Sequence, residues 1–237
     1  MNHETTEGRK ARRKELRSEH VLAVASRVFA VEGLEGLTLG RVARELDLVP
    51  AALYRYFASK DELVAAMQRR AVGELTVAFR AHLAKVEATL QGRSDGSRAL
   101  GLVFAMGRFY LALPKHLPDT WRLVAVLLAD PRALLPDVEA ARVIPMIGEF
   151  LSIAEGVLTS ALEAGTIEGK RDSVRLRTLQ LWASMHGALC LEKLKRFGDG
   201  AGLDVGGAIL DDLLRGWGAE PAAIARAKRA LQQASEA

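Results

Sequence analysis

The stretch LTLGRVARELDLVPAALYRYFASKDEL, residues 37 to 63, limits what this chain can become more than any other part of it, because two helix starts, a tight break and a proline crowd together there. Leu39, Val42, Ala43 and Leu46 recur at helical spacing behind Thr38, whose hydroxyl is placed to cap the free amides of a first turn. Asp47, Leu48 and Val49 break that helix. Pro50 then stands at the first position of a second helix, predicted over 50–57, where its fixed φ fits and its missing donor is not needed. Leu53 and Phe57 hold this helix inward. Ala51, Ala52, Tyr54, Arg55 and Tyr56 cover the remaining arc, with small residues at the front where a base edge can approach. Ser59 and Glu62 are spaced as a capping box, so a third helix starts near Lys60 and runs through Leu63, Met67 and Leu75. The arrangement is that of a helix-turn-helix. The competing reading, a pair of ordinary core helices, does not account for the polar set of Tyr54, Tyr56 and Lys60.

The segment resembles the TetR family of bacterial transcriptional regulators. The family pattern is T-hydrophobic-x-x-hydrophobic-A-x-x-L followed by LY-x-[HY]-F-x-[NS]-K-x-x-L, and Thr38, Val42, Ala43, Leu46, Leu53, Tyr54, Tyr56, Phe57, Ser59, Lys60 and Leu63 match it. The resemblance implies a supporting helix from about Leu16 to Val31 and DNA contacts at Thr38, Gly40, Arg41, Pro50, Ala51, Ala52, Tyr54, Arg55, Tyr56 and Lys60. Two positions depart from the pattern. Asp47 stands where the turn usually carries glycine, and Val49 where serine or threonine usually caps the recognition helix. Aspartate tolerates the left-handed conformation moderately well, but valine cannot cap an amide, and a lost cap costs on the order of 1 kcal/mol. The expectation is a retained fold with altered phosphate contacts around Val49.

With 237 residues and 49% hydrophobic content the chain can bury a sizeable core. Its net charge of +4 is modest, but Arg9, Lys10, Arg12, Arg13, Lys14 and Arg17 gather positive charge near the N-terminus. That arm suits phosphate backbones; it also suits a solubilising tail, and the two are compatible. Cys190 is the single cysteine, so no intramolecular disulfide forms. No signal-peptide pattern opens the chain, and the apolar stretches 101–113 and 123–129 are broken by Arg108 or too short to span a bilayer, so the expected location is the cytoplasm.

Helical segments are predicted over 60–90, 98–113, 119–129, 145–164 and 173–197, the last capped by Asp172, with turn-formers at 91–97 and a further helix over 205–217. The Ala-rich segment 221–237 is either a terminal helix or frayed. Strand alternation is scarce. The fold class is therefore all-α: a basic arm over 1–15, a helix-turn-helix domain over 16–62, a larger helical ligand-binding and dimerisation domain over 63–219, and a tail over 220–237.

In the larger domain, Trp182, His186 and Gly187 resemble the W-x-x-x-H-G pattern of one branch of TetR regulators. There the equivalent helix and the one before it pack against a second subunit. Leu176, Leu179, Ala183, Gly187, Cys190 and Leu194 alternate three- and four-residue steps, with Leu151 and Leu158 on the preceding helix; these residues form either a homodimer interface or an internal seam. Phe104, Phe109, Tyr110, Trp121, Met146, Phe150, Trp182, Met185 and His186 are candidates for an effector cavity or, taken singly, for ordinary core. His186 has only Cys190 near it at ligand spacing, too few for zinc, and its structural role is favoured. Neither metal nor cofactor is expected.

No H-E-x-x-H, P-loop or G-x-S-x-G motif is present, and the glycines from 198 to 207 follow a helix where a dinucleotide site needs a strand. A catalytic site is not expected. The resemblance implies a homodimeric repressor that a small apolar effector releases from a palindromic operator, the ligand tilting the helix that begins at Lys60. The alternative is a helical small-molecule-binding protein whose basic arm gives nonspecific DNA affinity.

Overall fold

The computed structural model describes residues 6–129, 135–191 and 204–236. Leu194 and the helix end expected at Phe197 lie outside the described residues. Among the described residues every regular element is helical, and the chain divides into two compact units.

The first unit comprises Met1–Gly73 and Asp119–Met146. Helix α1 spans Thr6–Gly36, starting well before the expected Leu16, so the basic segment from Arg9 to Arg17 is helical. Gly33 takes φ 70° and kinks the helix before its last turn, a left-handed conformation that glycine adopts without steric cost. Helices α2 (Leu39–Glu45) and α3 (Pro50–Leu53) follow, then α4 (Lys60–Thr89), of which residues up to Gly73 belong here. Val21, Ala25 and Phe29 of α1 share one core with Leu39, Val42, Leu53, Phe57, Leu63 and Met67, joined by Leu123 of α7 (Pro118–Ala129). Burying a side chain of this size stabilises by about 1.5–3 kcal/mol, and the turn between α2 and α3 is pinned because both of its flanks contribute.

The second unit comprises Glu74–Pro118 and Ile147–Ala237. Helix α5 (Asp95–Leu111) begins on Ser94, whose hydroxyl accepts the Ser97 amide, and ends before a short helix α6 (Leu113–His116) that accommodates Pro114 in its first turn. Helix α8 runs Asp137–Glu163. It starts eight residues before Pro145, which was expected to open it; Pro145 is interior, and without an N–H it leaves one backbone bond of that helix unmade. By length and composition α8 also suffices to cross a membrane, a property the apolar stretches singled out in the sequence did not include. A 3₁₀ turn at Arg171–Ser173 leads into α9 (Val174–Leu191), and α10 (Val205–Gly216) is capped by Asp204. The C-terminal segment is neither frayed nor a tail: α11 (Pro221–Glu236) packs along α5 and buries Ile224, Ala227, Ala230 and Leu231.

Candidate nucleic-acid interface and ligand cavity

Helix α2 is held at both ends by its own sequence. The Thr38 hydroxyl accepts the Arg41 amide at 3.1 Å. At the far end Asp47 takes φ 54°, the Leu48 amide reaches back to the Ala43 carbonyl at 2.9 Å, and the Asp47 amide reaches Arg44 at 3.2 Å. This pair of bonds is a Schellman closure, normally built on glycine, with aspartate in the left-handed position. Val49 then precedes α3 in an extended conformation and provides no side-chain cap. Of the two departures from the family pattern, Asp47 therefore keeps the turn and Val49 gives up a cap.

Helix α3 is shorter than the 50–57 span expected. After Leu53 the chain tightens, with the Tyr56 and Phe57 amides both bonding the Leu53 carbonyl, so Tyr54 to Tyr56 stand in a turn. The start of α4 is fixed by reciprocal bonds, Glu62 N–H to the Ser59 hydroxyl at 3.0 Å and Ala58 N–H to Glu62 Oε2 at 2.7 Å. The carboxylate reaches the amide one residue before the cap, a variant of the capping box.

The expected DNA-facing residues separate into groups. Thr38, Pro50, Ala51, Tyr54 and Arg55 are exposed, and Gly40 has open space where a Cβ would stand. Ala52 turns into the core and is not available to a base. Tyr56 is partly buried against that same core. Arg41 is bound to Glu45 and Glu32, hydrogen bonds that raise its pKa further and engage its guanidinium within the protein. The Lys60 ammonium donates to the Leu34 carbonyl at 2.7 Å, tying the start of α4 to the end of α1. Arg44, which the family pattern does not mark, is exposed and makes no ion pair among the described residues; its outward position on α2 was the available signal.

In the second unit, Phe109, Tyr110, Phe150, Trp182 and Met185 line one apolar cavity together with Phe79, which the sequence pattern did not single out although it continues the stripe of Leu75. Phe79 packs at 5.2 Å on Phe109 and 5.1 Å on Phe150, centroid to centroid. The free space in it is only about 30 Å³, enough for a water-sized guest. Its polar feature is the Tyr110 hydroxyl, which accepts the Trp182 indole N–H at 3.0 Å and lies 3.1 Å from His186 Nδ1. Burial raises the Tyr110 pKa and lowers that of His186. His186 thus stands behind the wall rather than in it. Phe104 is also outside it, with the Lys228 ammonium 5.2 Å from its ring centroid, and Trp121 and Met146 belong to the first unit. Among the described residues no three His, Cys, Asp or Glu side chains converge on a metal site.

On α9, Leu176 and Leu179 are 60% and 38% exposed, and Ala183, Gly187 and Cys190 are exposed with them. Leu151 and Leu158 of α8 do the opposite, at 7% and 0%, filling the core of their own unit. The outward face of α8 carries Ser152, Gly156 and Ser160, the two serine hydroxyls donating to the Glu149 and Gly156 carbonyls of their own helix.

Residues 21–67 match the family model for bacterial regulatory proteins, tetR family. An HTH-type transcriptional regulator of Mycobacterium tuberculosis is 25% identical, the aligned region covering 75% of this chain and 81% of that protein. A TetR-family transcriptional regulator from Agrobacterium tumefaciens superposes with a TM-score of 0.59 at 18% identity, over 85% of this chain and 97% of that one. The regulator FadR from Bacillus subtilis, solved with stearoyl-CoA, gives 0.57 at 15% identity, over 82% and 94%. At such identities the structural likenesses speak for the fold alone.

Proposed function

We propose that this chain, whose residues 21–67 match the model for bacterial regulatory proteins of the tetR family, works as a homodimeric repressor which a small effector releases from a palindromic operator. The observation that carries this reading is the exposed set of Ala51, Tyr54 and Arg55 beyond a turn whose backbone is fixed at both ends. A fixed turn lets a few outward side chains meet base edges in a constant register. Thr38 and Lys60 are suited to the phosphate backbone, and the basic start of α1 to salt-sensitive affinity.

The second copy follows from symmetry: a palindrome needs two readers with half-sites about 34–36 Å apart or a near multiple. The exposed α9 face supports it, with the small outward residues of α8 beside it in place of Leu151 and Leu158. The effector occupies the aromatic region of the second unit, where rings must part to admit anything larger than water. A coupling of about 1–3 kcal/mol between effector and DNA lowers operator affinity 5- to 150-fold. No catalytic role is assigned, and the working compartment is the cytoplasm.

Footprinting on the DNA flanking the chain's own gene, with and without apolar effectors and acyl thioesters, tests the proposal. A protected inverted repeat lost on adding an effector supports it. Binding that is equal on all DNA of one length would instead favour a small-molecule-binding protein with nonspecific affinity.

A further inference from the structure

Phe109 lines two cavities of opposite character. The first is the small aromatic one; the second, about 270 Å³, lies among α4, α5, α6 and α11 and approaches the ~300–1,000 Å³ usual for ligand sites. His82, Arg108 and His116 line this second cavity, with Phe109 and Leu231 among its apolar walls. The His82 ring packs on Phe109 at 5.2 Å, and its Nε2 is closed off from solvent with no hydrogen-bond partner. A buried polar atom left so is uncommon and marks a place where a partner is missing. Burial first, and then Lys85, Arg108 and His116, lower the His82 pKa, against a backbone hydrogen bond at Ala105 that raises it. Among the described residues, the charged and titratable side chains that act on His82 are all basic. Lys85, Arg108 and His116 form no ion pair among the described residues.

The cations Lys85 and Arg108, gathered without a counter-charge beside an unsatisfied imidazole, suit an anion, which would favour the imidazolium and turn Nε2 into a donor. We propose that this cavity binds a small amphipathic anion, its carboxylate or phosphate head meeting Arg108, His116 and His82 and its apolar part lying against Phe109 and Leu231. The inference rests on the ligand-responsive reading above and names the chemistry of the effector. Because Phe109 is shared, filling this cavity bears directly on the aromatic one.

Calorimetric titration of the full-length protein with octanoate, octyl phosphate, octanol and inorganic phosphate tests it. Octanoate or octyl phosphate is expected to bind about tenfold or more tightly than octanol, and inorganic phosphate more weakly than octyl phosphate. The exposed Arg108→Gln change should remove about that factor for the charged probes and leave octanol unaltered, with circular dichroism confirming the fold. Equal affinity for octanol, indifference to Arg108→Gln, or failure of every probe to bind overturns the proposal. Inorganic phosphate binding as tightly as octyl phosphate overturns the amphipathic part, leaving a free-anion site. The titration contains no DNA, so its failure leaves the operator reading standing, and a failed footprint leaves the cavity standing.

Discussion

The Leu48 amide and the Ala43 carbonyl, 2.9 Å apart, close α2 over an aspartate in the left-handed region. Left-handed backbone is costly for any residue with a Cβ, least so for aspartate and asparagine, and free for glycine. Asp47→Gly should therefore stabilise the first unit by up to about 1 kcal/mol, and Asp47→Val should destabilise it by about 1–2 kcal/mol. Chemical denaturation of the two variants checks both signs. Equal midpoints for both would show that the turn carries no strain.

Arg55 and Tyr54 are expected to fail in different ways. Arg55→Ala removes a cation able to pair with guanine, costing about 1–3 kcal/mol on the operator and relaxing preference at one position. Tyr54→Phe removes a hydroxyl suited to phosphate and should weaken all sequences alike. Competition binding against single-base operator variants separates the two. An unchanged base preference in Arg55→Ala assigns that residue to the backbone instead.

Gly187 has no neighbour within 4 Å of where a Cβ would stand, so a larger side chain is accommodated within one protomer. In a symmetric interface the same side chain would appear twice and hold the helices apart. Gly187→Leu should leave the helical content intact and weaken the dimer by about 1–3 kcal/mol, with operator affinity falling too. Light scattering across a dilution series decides it: a variant that dissociates no more readily than the parent places the interface elsewhere.

His82 and His186 both have pKa values lowered in the folded chain, chiefly by burial. An unfolded histidine titrates near 6.5, so between that value and the lower folded one the unfolded chain holds more protons. Stability from these groups is complete above the unfolded pKa and drains away as pH falls toward the folded one. Urea midpoints measured from pH 8 downward should decline below about 6.5, and His82→Gln should flatten that decline. A parent curve that stays level through this range would count against the burial of both rings.

Much of the first unit was legible because its signals are local. Thr38, the Ser59 and Glu62 pair and the break at Asp47 act within one turn of backbone, and each does what its chemistry dictates. Errors came where the deciding partner was distant. Pro145 satisfies the rule for a helix start, yet Asp137 and Glu139 behind Pro136 give an equally good one, and packing lets the helix run through the proline. Leu151 and Leu158 announce an apolar face without saying which body covers it; their own unit does. Phe104, Trp121 and Met146 share the residue type of the cavity lining but not its place, since type does not fix address.

The indole of Trp182 sits in the aromatic wall with its N–H bound to Tyr110, whereas Trp217 is buried with the Arg177 guanidinium over its ring and Trp121 lies in the other unit. Indole emission follows the polarity around the ring and the fate of its N–H. The protein consequently carries its own optical probe in the wall of the aromatic cavity: with Trp121 and Trp217 replaced by phenylalanine, the colour of the remaining light would track ring separation in real time, without a label and without DNA.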